Sequence, residues 1–315
     1  MSNPNIKCAG IDTSKKTLDV AIEGVPRPVS FANNAEGHGL LVDCLVGHGV
    51  SRVGIEASGN YEAGVVAALR AAGVTVFVLD PRQIHGWRRF RRQRAKTDAI
   101  DARLIRAAVA EIDLDREPPD PRLPAFAETL TLIDQIGEDV ARLKTRRDRY
   151  VDKANLAVIE REILRLEKQR ERLRAALVRR LRAHPDLAHR LDLLLTIPTI
   201  GLPTAVVLVV RMPELGRLTR QEAAALAGVA PYNRDSGPMS QDRHIAGGRT
   251  RLRKALYMAA FSGSQKHNPA LLAFYDHLTA AGKHHKVALI ACVRKRVHFA
   301  NAVIARDAPW QISCP

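Results

Sequence analysis

The 315 residues carry 49 Lys and Arg against 33 Asp and Glu, a net charge of +16, and 46% of them are hydrophobic. That apolar content excludes a disordered chain. The scattered Cys8, Cys44, Cys292 and Cys314 exclude a disulfide framework or a C-x-x-C zinc site, and no apolar run approaches the ~20 residues a bilayer span needs. The opening MSNPNIKCAGID has no apolar stretch before its first acidic residue, so a cytoplasmic protein without membrane contact is expected. The positive excess suits a polyanion binder, since Lys and Arg displace the counterions condensed on phosphates, but an arginine-rich proteome would give the same balance.

The first third alternates between strand and helix signals. Ile6–Asp12, Thr17–Glu23 and Pro28–Asn33 read as three short strands, followed by a helix over Glu36–His48 and a buried strand over Arg52–Glu56. Tyr61–Ala72 is helical, with Val65, Val66 and Leu69 on one face and Gly73 as its stop. Val74–Leu79 is another strand, and helices over Arg82–Arg92 and Asp98–Ile112 complete the order βββαβαβα. A three-strand meander followed by alternation predicts an α/β domain over 1–112, a mixed sheet with helices on both faces. Four prolines mark a linker over 113–124.

From Ala125 to about residue 190 apolar residues return at 4-3 spacing, first through Ile136, Val140 and Leu143, then through Ile159, Ile163, Leu166 and Leu173. This is the pattern of a helical coiled-coil stalk, and two helices folding back on each other or a dimer both satisfy it. A mostly α-helical C-terminal domain over 191–315 follows. Thr196-Ile-Pro-Thr-Ile-Gly-Leu-Pro reads as a helix–helix turn packed closely through Gly201, with a phosphate-binding helix hairpin as the sharper alternative. A polar, Gly-rich stretch over Gly228–Gly248 precedes basic helices from Arg249 to about Ala305.

Four acidic residues fall where chemistry can use them. Asp12 and Glu56 end two strands that one sheet would make neighbours, and Asp98 and Asp101, at i and i+3, share a helix face. Singly, each has a bland role as a strand end, a cap or a solvated residue. Jointly, four converging carboxylates without a basic partner call for cations, and hard oxygen ligands suit Mg²⁺ or Mn²⁺ in phosphodiester chemistry. Just before the Asp98–Asp101 pair stand Arg88, Arg89, Arg91, Arg92, Arg94 and Lys96, expected to draw a phosphate backbone toward it. Arg234, Arg249 and Arg253 are expected to add contacts from the C-terminal part.

At these residues the sequence resembles the DEDD transposases of the bridge-RNA-guided insertion-sequence family, relatives of the Piv invertases. The N-terminal match rests on Gly10-Ile-Asp-Thr-Ser-Lys-Lys-Thr-Leu-Asp-Val-Ala, Glu56-Ala-Ser-Gly-Asn-Tyr-Glu and Ala95-Lys-Thr-Asp-Ala-Ile-Asp-Ala. The C-terminal match runs through Gly228-Val-Ala-Pro-Tyr-Asn-Arg-Asp-Ser-Gly, Gly247-Gly-Arg, Arg253-Lys-Ala-Leu-Tyr-Met-Ala-Ala, Lys266-His-Asn-Pro and Ala308-Pro-Trp. The resemblance implies a ribonuclease-H/RuvC-like N-terminal domain with Asp12, Glu56, Asp98 and Asp101 as catalytic metal ligands. It also implies Ser236 as covalent nucleophile, with Ser240 as fallback, and double-stranded donor and target DNA, a noncoding guide RNA and a homo-oligomer (dimer or tetramer) as partners. Two departures stand out: Thr199 occupies a position where the family has glycine, and Pro238-Met-Ser-Gln-Asp-Arg-His lacks the Gly-Lys-rich character of the family's segment. The alternatives are a RuvC-type nuclease using water, a catalytically weakened nucleic-acid-binding remnant, and an actin-like ATPase. The last has Gly10-Ile-Asp-Thr-Ser in its favour but lacks a second phosphate motif.

Overall fold

The computed structural model describes residues 7–311 apart from 94, 96, 113–119 and 233–243, with the backbone alone for 261–267. Most of the expected linker therefore lies outside the described residues. The chain divides into two compact units, Met1–Pro121 and Arg122–Pro315.

In the first unit, β1 (Lys7–Thr13), β2 (Thr17–Ile22) and β3 (Val29–Ala32) are followed by α1 (Ala35–Gly47) and β4 (Val50–Glu56). Then come α2 (Ala63–Ala71), β5 (Thr75–Leu79), α3 (Pro81–Phe90) and α4 (Asp98–Ala110). The five strands form one mixed sheet in the order β3-β2-β1-β4-β5, antiparallel through the meander and parallel from β1 to β4 to β5. Ser14 makes the first turn, its Oγ accepting from the backbone N–H of Lys16 and Thr17 at 3.2 and 2.9 Å.

The two faces of the sheet are covered differently. Ala9, Ile11, Val53 and Ile55 pack with Leu41 and Leu45 of α1 and Val65 and Leu69 of α2. On the other face Gly10 and Gly54, paired in register, lie beneath α4. A Cβ on Gly10 would come within 2.2 Å of both the Ala102 carbonyl oxygen and the Arg106 amide nitrogen, and one on Gly54 within 3.0 Å of Ile105 Cγ2 and Val109 Cβ. The helix backbone rests on the strand where no side chain intervenes. Its far end is fixed by the buried Arg52 of β4, which donates to the carbonyls of Val109 and Ile112 at 3.4 and 3.2 Å.

The second unit begins with α5 (Leu123–Arg147) and α6 (Lys153–Arg182), then α7 (Pro185–Leu195), α8 (Leu202–Arg211) and α9 (Arg220–Leu226). A short strand pair, β6 (Pro231–Tyr232) and β7 (His244–Ile245), leads to α10 (Thr250–His267), α11 (Pro269–Ala280) and α12 (His285–Arg306). α5 and α6 fold back on each other as an antiparallel hairpin. Lys144 pairs with Glu167 at 2.8 Å near the tip, and near the base the Arg180 guanidinium sits 5.1 Å from the Phe126 ring centre. The base is rooted in the C-terminal core: Leu123, Phe126, Leu130 and Ile133 of α5 and Leu177 and Leu181 of α6 join one cluster with α7–α10 and α12. At the centre lies α8, buried continuously from Thr204 to Val210, as a helix apolar on every side must be.

The turn into α8 departs from expectation. Gly201 sits at φ −79°, and a Cβ there would make only an ordinary contact, 3.8 Å from Pro203 Cδ, so it is not a close-packing point. Thr199 instead takes φ +83°, a left-handed conformation costly for a β-branched residue, and its buried Oγ1 has no hydrogen-bond partner among the described residues. Thr199→Gly is expected to stabilise the protein by about 1 kcal/mol, the relief of strain outweighing the added freedom of the unfolded chain. A denaturant midpoint unchanged or lowered by this substitution would show that the loop accommodates threonine without cost.

Candidate active site

The acidic residues lie toward one end of the β-sheet, at the ends of its interior strands β1 and β4 and on the helix α4 that covers it. Ile11 pairs with Ile55 across the parallel β1–β4 ladder, so Asp12 and Glu56, one residue further along, end adjacent strands side by side. Asp98 and Asp101 occupy the first turn of α4, which starts where Thr97 Oγ1 accepts from the Ile100 amide at 3.3 Å. Because α4 lies on Gly10, that first turn is brought over the end of β1. Asp12 registers all of this: burial first, then the charges of Asp101, Asp98 and Glu56, push its carboxyl up to about 6, against a lowering hydrogen bond from the Thr13 backbone.

Asp101 is only 4% exposed and forms an ion pair with Arg88 of α3, whose guanidinium also donates to the Ala95 carbonyl at 3.4 Å. This corrects one expectation. The cluster does have a basic partner, because a carboxylate buried this far needs a counter-charge. Arg88, expected on a phosphate, is paired here within the protein. Among the described residues, no three acidic, histidine or cysteine side chains are gathered closely enough to hold one ion as they stand. The donor set nonetheless has the chemistry of a hard-cation site, four carboxylates whose mutual repulsion shows in Asp12. Glu62 fastens the loop after Glu56, its carboxylate accepting from the Ser58 and Asn60 amides at 3.0 and 3.1 Å. The family match over Glu56-Ala-Ser-Gly-Asn-Tyr-Glu includes Glu62 but gives it no role.

Residues 9–156 match a transposase family model of the DEDD IS110 type, and residues 191–276 match the model described as transposase IS116/IS110/IS902 family. Together they span most of the chain. It belongs to the IS110 family of transposases. Over 96% of its length the chain is 27% identical to the pilin gene-inverting proteins of Moraxella bovis and of Moraxella lacunata, covering 96% of each. It is also 31% identical to the insertion element IS110 uncharacterized 43.6 kDa protein of Streptomyces coelicolor, over 46% of this chain and 35% of that one. Members of the family catalyse DNA strand transfer, and a divalent metal is implied for the DEDD type.

In this transposase Ser236, its fallback Ser240, and Arg94, Lys96 and Arg234 lie outside the described residues. Arg89, Arg91 and Arg92 are exposed around the end of α3. Arg249 and Arg253, expected on nucleic acid, have partners within the protein. Arg249 is bidentate to Glu214 at 2.6 and 2.8 Å, and Arg253 donates to the carbonyls of Gly228 and Gly247 at 3.0 and 2.9 Å. A guanidinium fits such a site because its planar fork satisfies two acceptors at once. No helix among the described residues is long and apolar enough to cross a membrane.

Proposed function

We propose that this transposase breaks and rejoins double-stranded donor and target DNA through a phosphoserine link on Ser236, assisted by Mg²⁺ or Mn²⁺ held by Asp12, Glu56, Asp98 and Asp101. The placement of Asp12 and Glu56 side by side at the ends of β1 and β4, with Asp98 and Asp101 on the first turn of the covering helix, carries this reading; burial and then the charges of the other three acids raise the Asp12 carboxyl. The sheet order β3-β2-β1-β4-β5, with acids at the ends of β1 and β4 and on the helix covering β1, supports a ribonuclease-H-like, RuvC-like domain.

Ser236 Oγ attacks the phosphorus, the P–Oγ bond forms, and the bond to the 3′ oxygen breaks, that oxygen leaving as a hydroxyl once it takes up a proton. A 3′ hydroxyl of the partner strand then attacks the phosphoserine, restoring the serine and sealing the new junction without ATP. Bound metal supplies Lewis-acid stabilisation of the charge on the phosphorane. Rejoining also fits the Moraxella relatives, which are pilin gene-inverting proteins. The resemblance to bridge-RNA-guided elements supports a noncoding RNA that selects donor and target by base pairing, bound by a homo-oligomer of this chain.

The test is a covalent adduct. Incubated with DNA and Mg²⁺ or Mn²⁺, the wild-type protein is expected to give a protein–DNA band on a denaturing gel. Ser236→Ala should give none, and Asp98→Asn combined with Asp101→Asn should give none while still binding DNA. Strand cleavage without any adduct would favour the rival reading, a RuvC-type nuclease that uses water. An adduct persisting in Ser236→Ala would move the nucleophile to Ser240.

A further inference from the structure

The last turn of α3 presents a feature that the strand-transfer reading does not use. Phe90 is 75% exposed, more than any other aromatic residue among those described as exposed. Its ring lies 5.8 Å, centre to centre, from that of Trp87, which packs against the small core of Leu79, Ile84, Leu104 and Ile105. Arg91 lies 5.2 Å from the other aromatic ring, that of Trp87, and Arg89 and Arg92 are exposed beside it. Arg89, Arg91 and Arg92 form no ion pair with a carboxylate among the described residues. Two positions before Phe90, Arg88 reaches Asp101 of the acidic site.

We propose that Phe90 stacks on an unpaired base of the nucleic acid strand that reaches this acidic site, while Arg89, Arg91 and Arg92 hold the adjoining phosphates. The proposal rests on the nucleic-acid reading above and names a contact within it. A phenyl ring held out in water is costly to leave uncovered, and the surface around it decides what covers it. A protein-docking phenylalanine belongs to a continuous apolar patch with charge at its rim. Phe90 is flanked by guanidiniums instead, so its partner must offer a flat π-face and negative charge within a few ångströms of each other, as a nucleotide does. Bases within a duplex cover each other's faces, so the base involved is one at an end, a melted step or a flipped position. Strand breakage and exchange create such bases beside the acidic site.

Stacking and phosphate contact respond differently to salt, which makes the two separable. Phosphate contacts set the slope of log affinity against log salt, whereas stacking on a neutral ring shifts the whole line without tilting it. The experiment measures binding of the full-length protein to a labelled single-stranded oligonucleotide and to the same sequence as a blunt duplex, across a salt series. Phe90→Ala is expected to weaken single-strand binding about tenfold at every salt concentration, with the slope unchanged and duplex binding affected far less. Phe90→Trp should restore affinity, and combined replacement of Arg89, Arg91 and Arg92 by Ala should flatten the slope. An unchanged thermal midpoint in Phe90→Ala confirms that an exposed side chain was removed from an intact fold. Single-strand affinity within twofold of wild type in Phe90→Ala overturns the stacking role but leaves the nucleic-acid reading standing, as does a changed oligomeric state with unaltered binding. If the wild-type protein binds neither oligonucleotide, the nucleic-acid reading falls and the stacking role with it.

Discussion

Asp12→Asn is expected to abolish strand breakage and, in the absence of metal, to make the protein more stable than wild type. The carboxyl of Asp12 is half-buried at the end of β1, where burial and the charges of Asp101, Asp98 and Glu56 push it up from 3.8 to about 6. The folded-state value lies above the unfolded one, so this group's favourable contribution is fully present below about pH 4 and is lost as pH rises through about 6. At pH 8 the wild type holds a charge that its surroundings oppose, and asparagine keeps the shape without it. After allowance for solvent screening at a half-exposed site, the gain is about 1 kcal/mol. Denaturant unfolding in the presence of a chelator should show the variant ahead at pH 8 and level with wild type near pH 4. Added Mg²⁺ should raise the wild-type midpoint and leave that of the variant nearly unmoved, because the ligand set has lost a charge. Strand cleavage should fall by about a thousandfold or more, as expected for a group acting on the transition state. A variant less stable than wild type at pH 8 would mean that Asp12 has a structural partner stronger than the repulsion of its neighbours.

Gly10→Ala is expected to destabilise the first unit by about 3 kcal/mol and to disable the site even in molecules that remain folded. The new methyl would stand 2.2 Å from the Ala102 carbonyl oxygen and from the Arg106 amide nitrogen, both backbone atoms of α4 that cannot rotate away. The helix must lift off the strand, at the upper end of the usual cost of overpacking. Asp98 and Asp101 move with the helix, whereas Asp12 and Glu56 stay with the sheet. Gly54→Ala meets side-chain atoms of Ile105 and Val109 at 3.0 Å and a backbone atom, the Ile105 carbonyl oxygen, only at 3.3 Å, and should cost about 1 kcal/mol. Gly39→Ala, inside α1 with nothing within 4 Å of the added carbon, should be neutral or stabilise by a few tenths of a kcal/mol. Thermal unfolding of the three variants, with cleavage assayed well below each midpoint, tests the ranking. Equal effects at Gly10 and Gly54 would show that α4 does not rest on the β1 backbone.

Much of the first unit was legible because its signals are local. Short strand runs, a helix ended by Gly73 and the alternation of strand and helix signals placed every element to within a few residues, and the positions of Asp12 and Glu56 at strand ends followed from that. The i, i+3 spacing likewise places Asp98 and Asp101 on one helical turn. The partner of Asp101 was not legible. Six basic residues between Arg88 and Lys96 look alike in sequence, and only the docking of α3 beside α4 turns Arg88 inward and leaves Arg89, Arg91 and Arg92 in solvent.

Local patterns established the class of most segments, the mostly helical nature of what is described after Leu123, and the acidic residues at the ends of β1 and β4 and on α4. The reason is that hydrophobic period, capping residues and turn chemistry act over a few residues and leave their mark in order along the chain. The tertiary structure alone decided the rest. The 4-3 spacing of α5 and α6 suits a self-folded hairpin and a dimer equally, and the contacts of Arg180 with Phe126 and of Lys144 with Glu167 choose the hairpin. The demand for a left-handed residue fell on Thr199 rather than on Gly201, because the path of the chain into the buried α8 sets that φ. Gly10 and Gly54, two small residues among many, became the bed of α4 only once β1 and β4 paired in register. Each of these outcomes depends on which distant segments come into contact, and no local pattern carries that.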